Sequence, residues 1–230
     1  MTLSPLNVLV ARSILAVCAH PDDESFGLGG ILATLRTGGA TTHLLCFTTG
    51  EASTLGADIE DLAGARTKEL TAAGAALGLT SIRLSNHRDG HLAEADFEEL
   101  ISEVQVSAGV HDADCLLVFD EGGITGHPDH QRATRAALAA GVRLGLPVVA
   151  WTLPSSIATI LHDEFGAEFV GVPSEQIDIR LHVDRATQRA AIACHNSQAP
   201  DNPVLRRRLE LQGDVESLRW LHRPHSDIDR

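Results

Sequence analysis

The chain has 230 residues, 43% of them hydrophobic, and a formal net charge of −13. That length and content can bury one sizeable core, so a single α/β domain over residues 1–222 is expected, with a polar, flexible tail at 223–230. The negative charge argues against nucleic acid and anionic membrane surfaces as partners. No run approaches the ~20 apolar residues of a membrane span, so a soluble cytoplasmic protein is expected.

In chain order, the apolar runs 14–19, 42–48, 82–84, 115–119 and 148–153 read as strands, with helical patterns between them. Leu70, Ala73 and Leu77 share one face of a helix predicted over 66–77, which Gly78 would stop. Phe97, Leu100, Ile101, Val104 and Ala108 form the buried stripe of the next helix, ending at Gly109. This alternation predicts a Rossmann-like, mostly parallel sheet of order 3-2-1-4-5 flanked by helices. After Pro154 the pattern changes. Residues 169–172, and then Ile177, Ile179, Leu181 and Val183 alternating with polar neighbours, read as a C-terminal antiparallel β-hairpin extension. Helices at about 185–195 and 203–211 follow. Cys18, Cys46, Cys115 and Cys194 have no CxxC spacing and are expected to be reduced, mainly in the core.

Two strings carry the chemistry. His20-Pro21-Asp22-Asp23-Glu24 follows the first strand, and Gly126-His127-Pro128-Asp129-His130 follows the fourth. In an open parallel sheet of this order those strands are neighbours and their carboxyl ends flank the ligand crevice. A hydrolytic zinc site needs three imidazole or carboxylate ligands and an open position. His20 and Asp23 are three apart, as are His127 and His130; spacing alone leaves open which of them bind. Gly27-Leu28-Gly29-Gly30 does not make a dinucleotide site, because Leu32 stands where the third glycine belongs and Asp22, Asp23 and Glu24 would repel a pyrophosphate. Those glycines are expected to allow close helix-to-sheet packing.

Ala19 through Glu24, Thr48-Thr49-Gly50-Glu51, the helix carrying Arg66 and Glu69 up to Leu77-Gly78, and the second string together resemble the PIG-L/LmbE family. The likeness runs from about residue 14 to 140, with a weaker echo at His195-Asn196-Ser197-Gln198. It implies a zinc-dependent hydrolase of a carbon–nitrogen amide bond, with one Zn²⁺ per chain, that deacetylates a small-molecule N-acetylated amino-sugar or its conjugate. Carried over by position, it makes His20, Asp23 and His130 the metal ligands and Asp22 the general base. It sets a protonated His127 against the developing oxyanion and leaving amine, and gives Arg66 and Asp89 substrate contacts. Some members have a Tyr where Thr125 stands, and this chain has no Tyr. A homo-oligomer is compatible with the reading.

Plainer roles exist for the same residues. Asp22, Asp23 or Ser25 could cap a helix, Pro128 could start one, Arg66 and Glu69 could form a surface ion pair, and Asp89 could be a turn residue beside Gly90. His195 is a candidate for the pocket wall. Two rival functions share the donor set: a non-haem Fe(II) oxygenase with a facial triad, and a non-catalytic metal- or sugar-binding module. Substrate choice would lie in the loops 52–63 and 154–167, whose sequence carries no readable code.

Overall fold

The computed structural model describes residues 11–224, so positions 225–230 of the expected tail lie outside the described residues. Strands β1 (Ser13–Cys18), β2 (Thr41–Thr48), β3 (Ser81–His87), β4 (Cys115–Phe119) and β5 (Val148–Pro154) pair in parallel in the order β3-β2-β1-β4-β5, as expected. Every residue of β1 is buried, because the strand is covered on both faces. Ile14, Ala16 and Cys18 point into one core; Leu15 and Val17 point into the other.

Helices α1 (Asp23–Phe26) and α2 (Gly29–Thr37) follow β1, and α3 (Leu62–Leu77) follows β2. Ile31, Leu32 and Leu35 of α2 and Leu70, Ala73 and Leu77 of α3 fill the first core. Helix α4 (Phe97–Val110) follows β3, while the short turn α5 (Gly123–Gly126) and α6 (Pro128–Leu144) follow β4. Leu100, Ile101 and Val104 of α4 and Ala133, Ala136, Ala137 and Ala140 of α6 fill the second core. Helix α3 starts earlier than position 66 because the Asp61 carboxylate accepts the Gly64 amide at 2.9 Å. It ends where Gly78 takes φ 72°.

The C-terminal antiparallel extension is present, but its two strands are joined through two helices and not by a hairpin turn. Helix α7 (Ser155–Phe165) leads to β6 (Gly171–Val172), which adds to β5 in parallel instead of turning back. β7 (Ile179–His182) pairs antiparallel with β8 (Val215–His222), which also lies antiparallel on β5. Helices α8 (Arg185–Ile192) and α9 (Pro203–Gln212) fill the connection. Pro173 and a 3₁₀ turn at Ser174–Gln176 occupy the place where a hairpin turn would have to form. Asp178 instead accepts the Trp220 amide of β8 at 2.7 Å. Gly29 and Gly30 leave room for Gln188 and Arg185 of α8, so their close packing is against a helix; Gly27 alone faces sheet residues, Phe119 and Trp151. Among the described residues no helix is long and apolar enough to cross a membrane.

Candidate active site and metal centre

β1 and β4 are neighbours, so the turns leaving their carboxyl ends meet. His20 Nδ1 lies 3.1 Å from His130 Nε2, and the Asp23 carboxylate completes the group at 3.2 Å from His130 Nε2 and 3.8 Å from His20 Nδ1. The outer nitrogens of both rings are held elsewhere. His130 Nδ1 donates to the Gly123 carbonyl at 3.0 Å, and His20 Nε2 faces Asp89 at 3.0 Å and Asp129 at 3.4 Å. Those acceptors place each outer proton, leaving His20 Nδ1 and His130 Nε2 turned toward one another and toward Asp23. The Ala19 and His20 amides donate to the second Asp23 oxygen, at 3.1 and 2.9 Å.

This donor set fits a divalent cation. Burial disfavours charge on His20, but hydrogen bonds to Asp129 and Asp89 and the charge of Asp23 raise its imidazole to about 10. Burial would also raise Asp23, yet His130 and His20 hold its carboxyl far below the ordinary carboxylate range. In the metal-free protein, therefore, a proton on His20 supplies the positive charge the carboxylates demand. A cation bound among the same donors would supply it instead. A nitrogen of His127 also comes within 4.8 Å of those of His20 and His130.

Asp22 stands apart from this group. Its backbone takes φ 113°, unusual for a non-glycine residue, and its amide donates to Glu24 Oε2 at 2.9 Å. The carboxylate meets Arg66 Nη2 at 2.9 Å. Burial raises Asp22; the Arg66 cation opposes and Asp23 adds to the rise, leaving it at about 7. Arg66 is buried, and its guanidinium also donates to the Pro21 carbonyl and, at 2.7 Å, to that of Gly50. A Cβ on Gly50 would collide with that guanidinium, so the glycine is required there. Arg66 is thus no surface partner of Glu69, which instead holds Ser197 through its amide at 2.8 Å and its hydroxyl at 2.7 Å.

His127 is the N-cap of α6: its Nδ1 accepts the Asp129 amide at 3.2 Å. Its remaining proton is therefore on Nε2 of a neutral ring. Burial and the neighbouring His130 and His20 hold its pKa below the ordinary value. In this geometry Nε2–H is the group that His127 can offer. Asp89 spends one oxygen on His20 and the other on the Ala52 amide at 2.9 Å.

Three parts of the site escape sequence reading. Asp129, overlooked between the two histidines, accepts the Gly90 and Leu92 amides at 2.7 and 3.0 Å while facing His20. Glu24 bonds His195 Nε2 at 2.8 Å as well as the Asp22 amide. His195 is fully buried behind the site and does not form part of the pocket wall. The string after it acts as a strap: Gln198 holds Ser53 at 2.8 Å and the Leu55 carbonyl at 3.1 Å in the loop bordering the cavity. The third is the cavity wall. A cavity of about 590 Å³ opens above Asp22, Asp23, His20, His127 and His130, walled by Phe26, Phe119, Ile124, Trp151, Phe169, Leu205 and Arg208. Arg66 and Asp89 border it as well, as do Ser53, Thr54 and Leu55 from the 52–63 loop; of 154–167, only Ala167 does.

Residues 15–141 match the PIG-L family, described as GlcNAc-PI de-N-acetylase, and that stretch contains His20, Asp22, Asp23, His127 and His130. The chain belongs to the PIG-L family. A curated relative from Salinispora arenicola, a 1D-myo-inositol 2-acetamido-2-deoxy-alpha-D-glucopyranoside deacetylase, is 30% identical, with 88% of this chain and 81% of that one covered. A protein of the same name from Nakamurella multipartita is 34% identical over 66% of this chain, and the match spans 60% of that relative's length. Among solved structures, N,N'-diacetylchitobiose deacetylase from Pyrococcus horikoshii superposes with a TM-score of 0.68 at 22% identity, covering 99% of this chain and 92% of that one. The 4-carboxy-2-hydroxymuconate hydratase GalB from Pseudomonas putida superposes at 0.69 with 18% identity, covering 94% and 98%. The PIG-L fold thus accommodates a hydratase alongside a deacetylase. The chemistry of this member has to be argued from its own side chains.

Proposed function

We propose that this protein is a zinc-dependent hydrolase of a carbon–nitrogen amide bond that removes the acetyl group from an N-acetylated amino-sugar or its conjugate. The observation that carries the reading is the pairing of two groups: the convergent donors of His20, Asp23 and His130, and the adjacent Asp22 carboxylate outside that set. An ion-binding module would need the first alone. The family and its deacetylase relatives support the same reaction class.

Zinc held by those three residues would act as a Lewis acid on the acetamide carbonyl and on attacking water. The chain's own residues do the rest. Asp22, outside the donor set and raised by burial in the metal-free protein, is the carboxylate placed to take a proton from water. Arg66 holds one Asp22 oxygen, so the rotamer is set before substrate arrives. His127 can donate Nε2–H to the oxygen that gains charge as the acetamide carbon becomes tetrahedral, a preorganised donor typically worth roughly 2.7–4 kcal/mol of barrier; as the carbon–nitrogen bond breaks, the departing amine takes a proton, from His127 or the one Asp22 has accepted from water. Asp89 and Asp129 keep the His20 ring oriented through Nε2. The cavity of about 590 Å³ has room for an amino-sugar and part of an aglycone. An Fe(II) facial triad shares the donor set but has no use for an extra base locked beside it.

The test is acetate release from a panel of N-acetylglucosaminides by zinc-loaded, iron-loaded and chelator-treated protein. Turnover that needs the metal and proceeds without oxygen is expected. Absence of acetate across the panel from metal-loaded protein would remove the hydrolase reading.

A further inference from the structure

The chain has six Phe, two Trp and no Tyr, and four of those rings, Phe26, Phe119, Trp151 and Phe169, line this one cavity. Two of them form a continuous track leading away from the metal ligands. The Phe119 ring lies 5.0 Å from His130 and 5.1 Å from Trp151 between centroids, and the Arg208 guanidinium sits 4.8 Å over the Trp151 ring. Gly27 keeps the track open, since a Cβ there would strike the Phe119 ring. The track therefore starts at the proposed reaction centre and ends at a cation.

That cation is anomalous. Arg66, Arg185 and Arg208 are all buried; Arg66 pairs with Asp22 and Arg185 with Glu216, but no carboxylate among the described residues pairs with Arg208. Glu216 is committed to Arg185, to Trp151 Nε1 at 2.7 Å and to Gln212 Nε2 at 2.9 Å. Gln212 thus stands between Glu216 and Arg208, accepting from Arg208 Nη1 at 3.3 Å. Its other hydrogen bond among the described residues goes to the Phe26 carbonyl at 2.6 Å. A guanidinium has five N–H groups, so three are not spent on the described residues. Burying an unpaired charge is costly, and burial holds Arg208 down at about 10.

We propose that the substrate carries an anionic group, a carboxylate or phosphate, on the amine side of its amide, and that Arg208 receives it at the end of the aromatic track. The acetyl side has no atom to bear such a charge. The face of the sugar would lie along Phe119 and Trp151, and the planar fork of Arg208 suits a two-oxygen anion. In a chain of net charge −13, a buried cation facing the cavity also offsets the repulsion an anionic substrate would meet. The inference rests on the amide-hydrolase reading of the same cavity.

The experiment compares three N-acetylglucosamine derivatives with zinc-loaded protein: the neutral methyl glycoside, the carboxymethyl glycoside and the 1-phosphate. Acetate release and calorimetric binding are both measured. For wild type, kcat/KM on at least one anionic derivative is expected to exceed that on the methyl glycoside by about tenfold or more. The carboxymethyl and phosphate arms identify which anion is preferred. In Arg208→Gln the fall on the preferred anion should exceed the fall on the methyl glycoside by a similar factor, through KM, with Arg208→Lys between. Equal use of neutral and anionic derivatives by wild type would overturn the proposal without any variant being needed, as would equal losses in Arg208→Gln. Calorimetry separates the two readings. Selective binding of an anionic derivative without acetate release would sink the hydrolase reading alone, whereas acetate release with no anion preference would sink this one alone.

Discussion

His-Pro-Asp follows β1 and again follows β4, yet the two turns use the same three residues in opposite ways. After β4, Pro128 takes the first position of α6, a place that suits its fixed φ and missing N–H. Asp129 then enters the helix, is fully buried, and is consumed by two loop amides and His20. After β1, the residue following Pro21 takes a left-handed conformation, and that twist turns the Asp22 carboxylate toward Arg66 at the cavity. The comparison teaches that one tripeptide can supply a scaffold carboxylate or a reactive one. Backbone conformation at the aspartate decides which.

The strongest way to break this contrast is to neutralise each aspartate. Asp22→Asn is expected to lower acetate release by about 10²–10⁴-fold with metal content retained, and to lower the melting temperature because buried Arg66 loses its carboxylate. Those are read by acetate assay, metal analysis and thermal denaturation; turnover at wild-type rate would remove Asp22 from the role of base. Asp129→Asn should do the reverse. It puts an NH₂ against a backbone donor, so a stability loss of about 1–3 kcal/mol is expected, larger than its direct effect on chemistry. Urea melts with the stability of Asp129→Asn equal to wild type would show that the second turn is not the scaffold described.

His20, which joins the two turns, gives a subtler test. Its imidazole in the metal-free protein is raised from 6.5 to about 10, so at pH 8 metal binding should release a proton from it. Calorimetry of zinc binding in buffers of different ionisation enthalpy would read that proton; no buffer dependence would contradict the raised value. The linked stability has a definite sign. A folded pKa above the unfolded one stabilises most below 6.5, and the contribution is lost as pH rises through about 10. Metal-free protein should therefore weaken in urea across that window, and zinc-loaded protein should weaken less there.

Much of the fold is legible in the amino-acid order because β1, β2, β4 and β5 are buried on both faces and must be written as apolar runs. β8 is not legible. Glu216 and Arg219 sit in it as charges, and Glu216 is tolerated because Arg185 and Trp151, distant in sequence, surround it together with the nearby Gln212. The same division applies to the site. The two donor-rich turns can be picked out because each packs its candidates within a few residues, whereas the choice of His20, Asp23 and His130 among them comes from the family resemblance. Arg66 stands out as a motif residue, yet its contact with Asp22 is not legible from a helix forty-four positions away. Arg208 gave no signal at all, since a surface arginine and a buried unpaired one look alike in sequence.

The sequence by itself determined the parallel α/β frame and the two donor-rich turns, because strand burial and local ligand spacing are properties of short segments. Tertiary structure alone decided which aspartate meets Arg66 at the cavity, which carboxylates are spent on backbone amides, and which buried arginine has no carboxylate among the described residues. Those outcomes depend on where unrelated segments come to rest against each other, and burial turns each resulting pairing, or lack of one, into a large electrostatic difference.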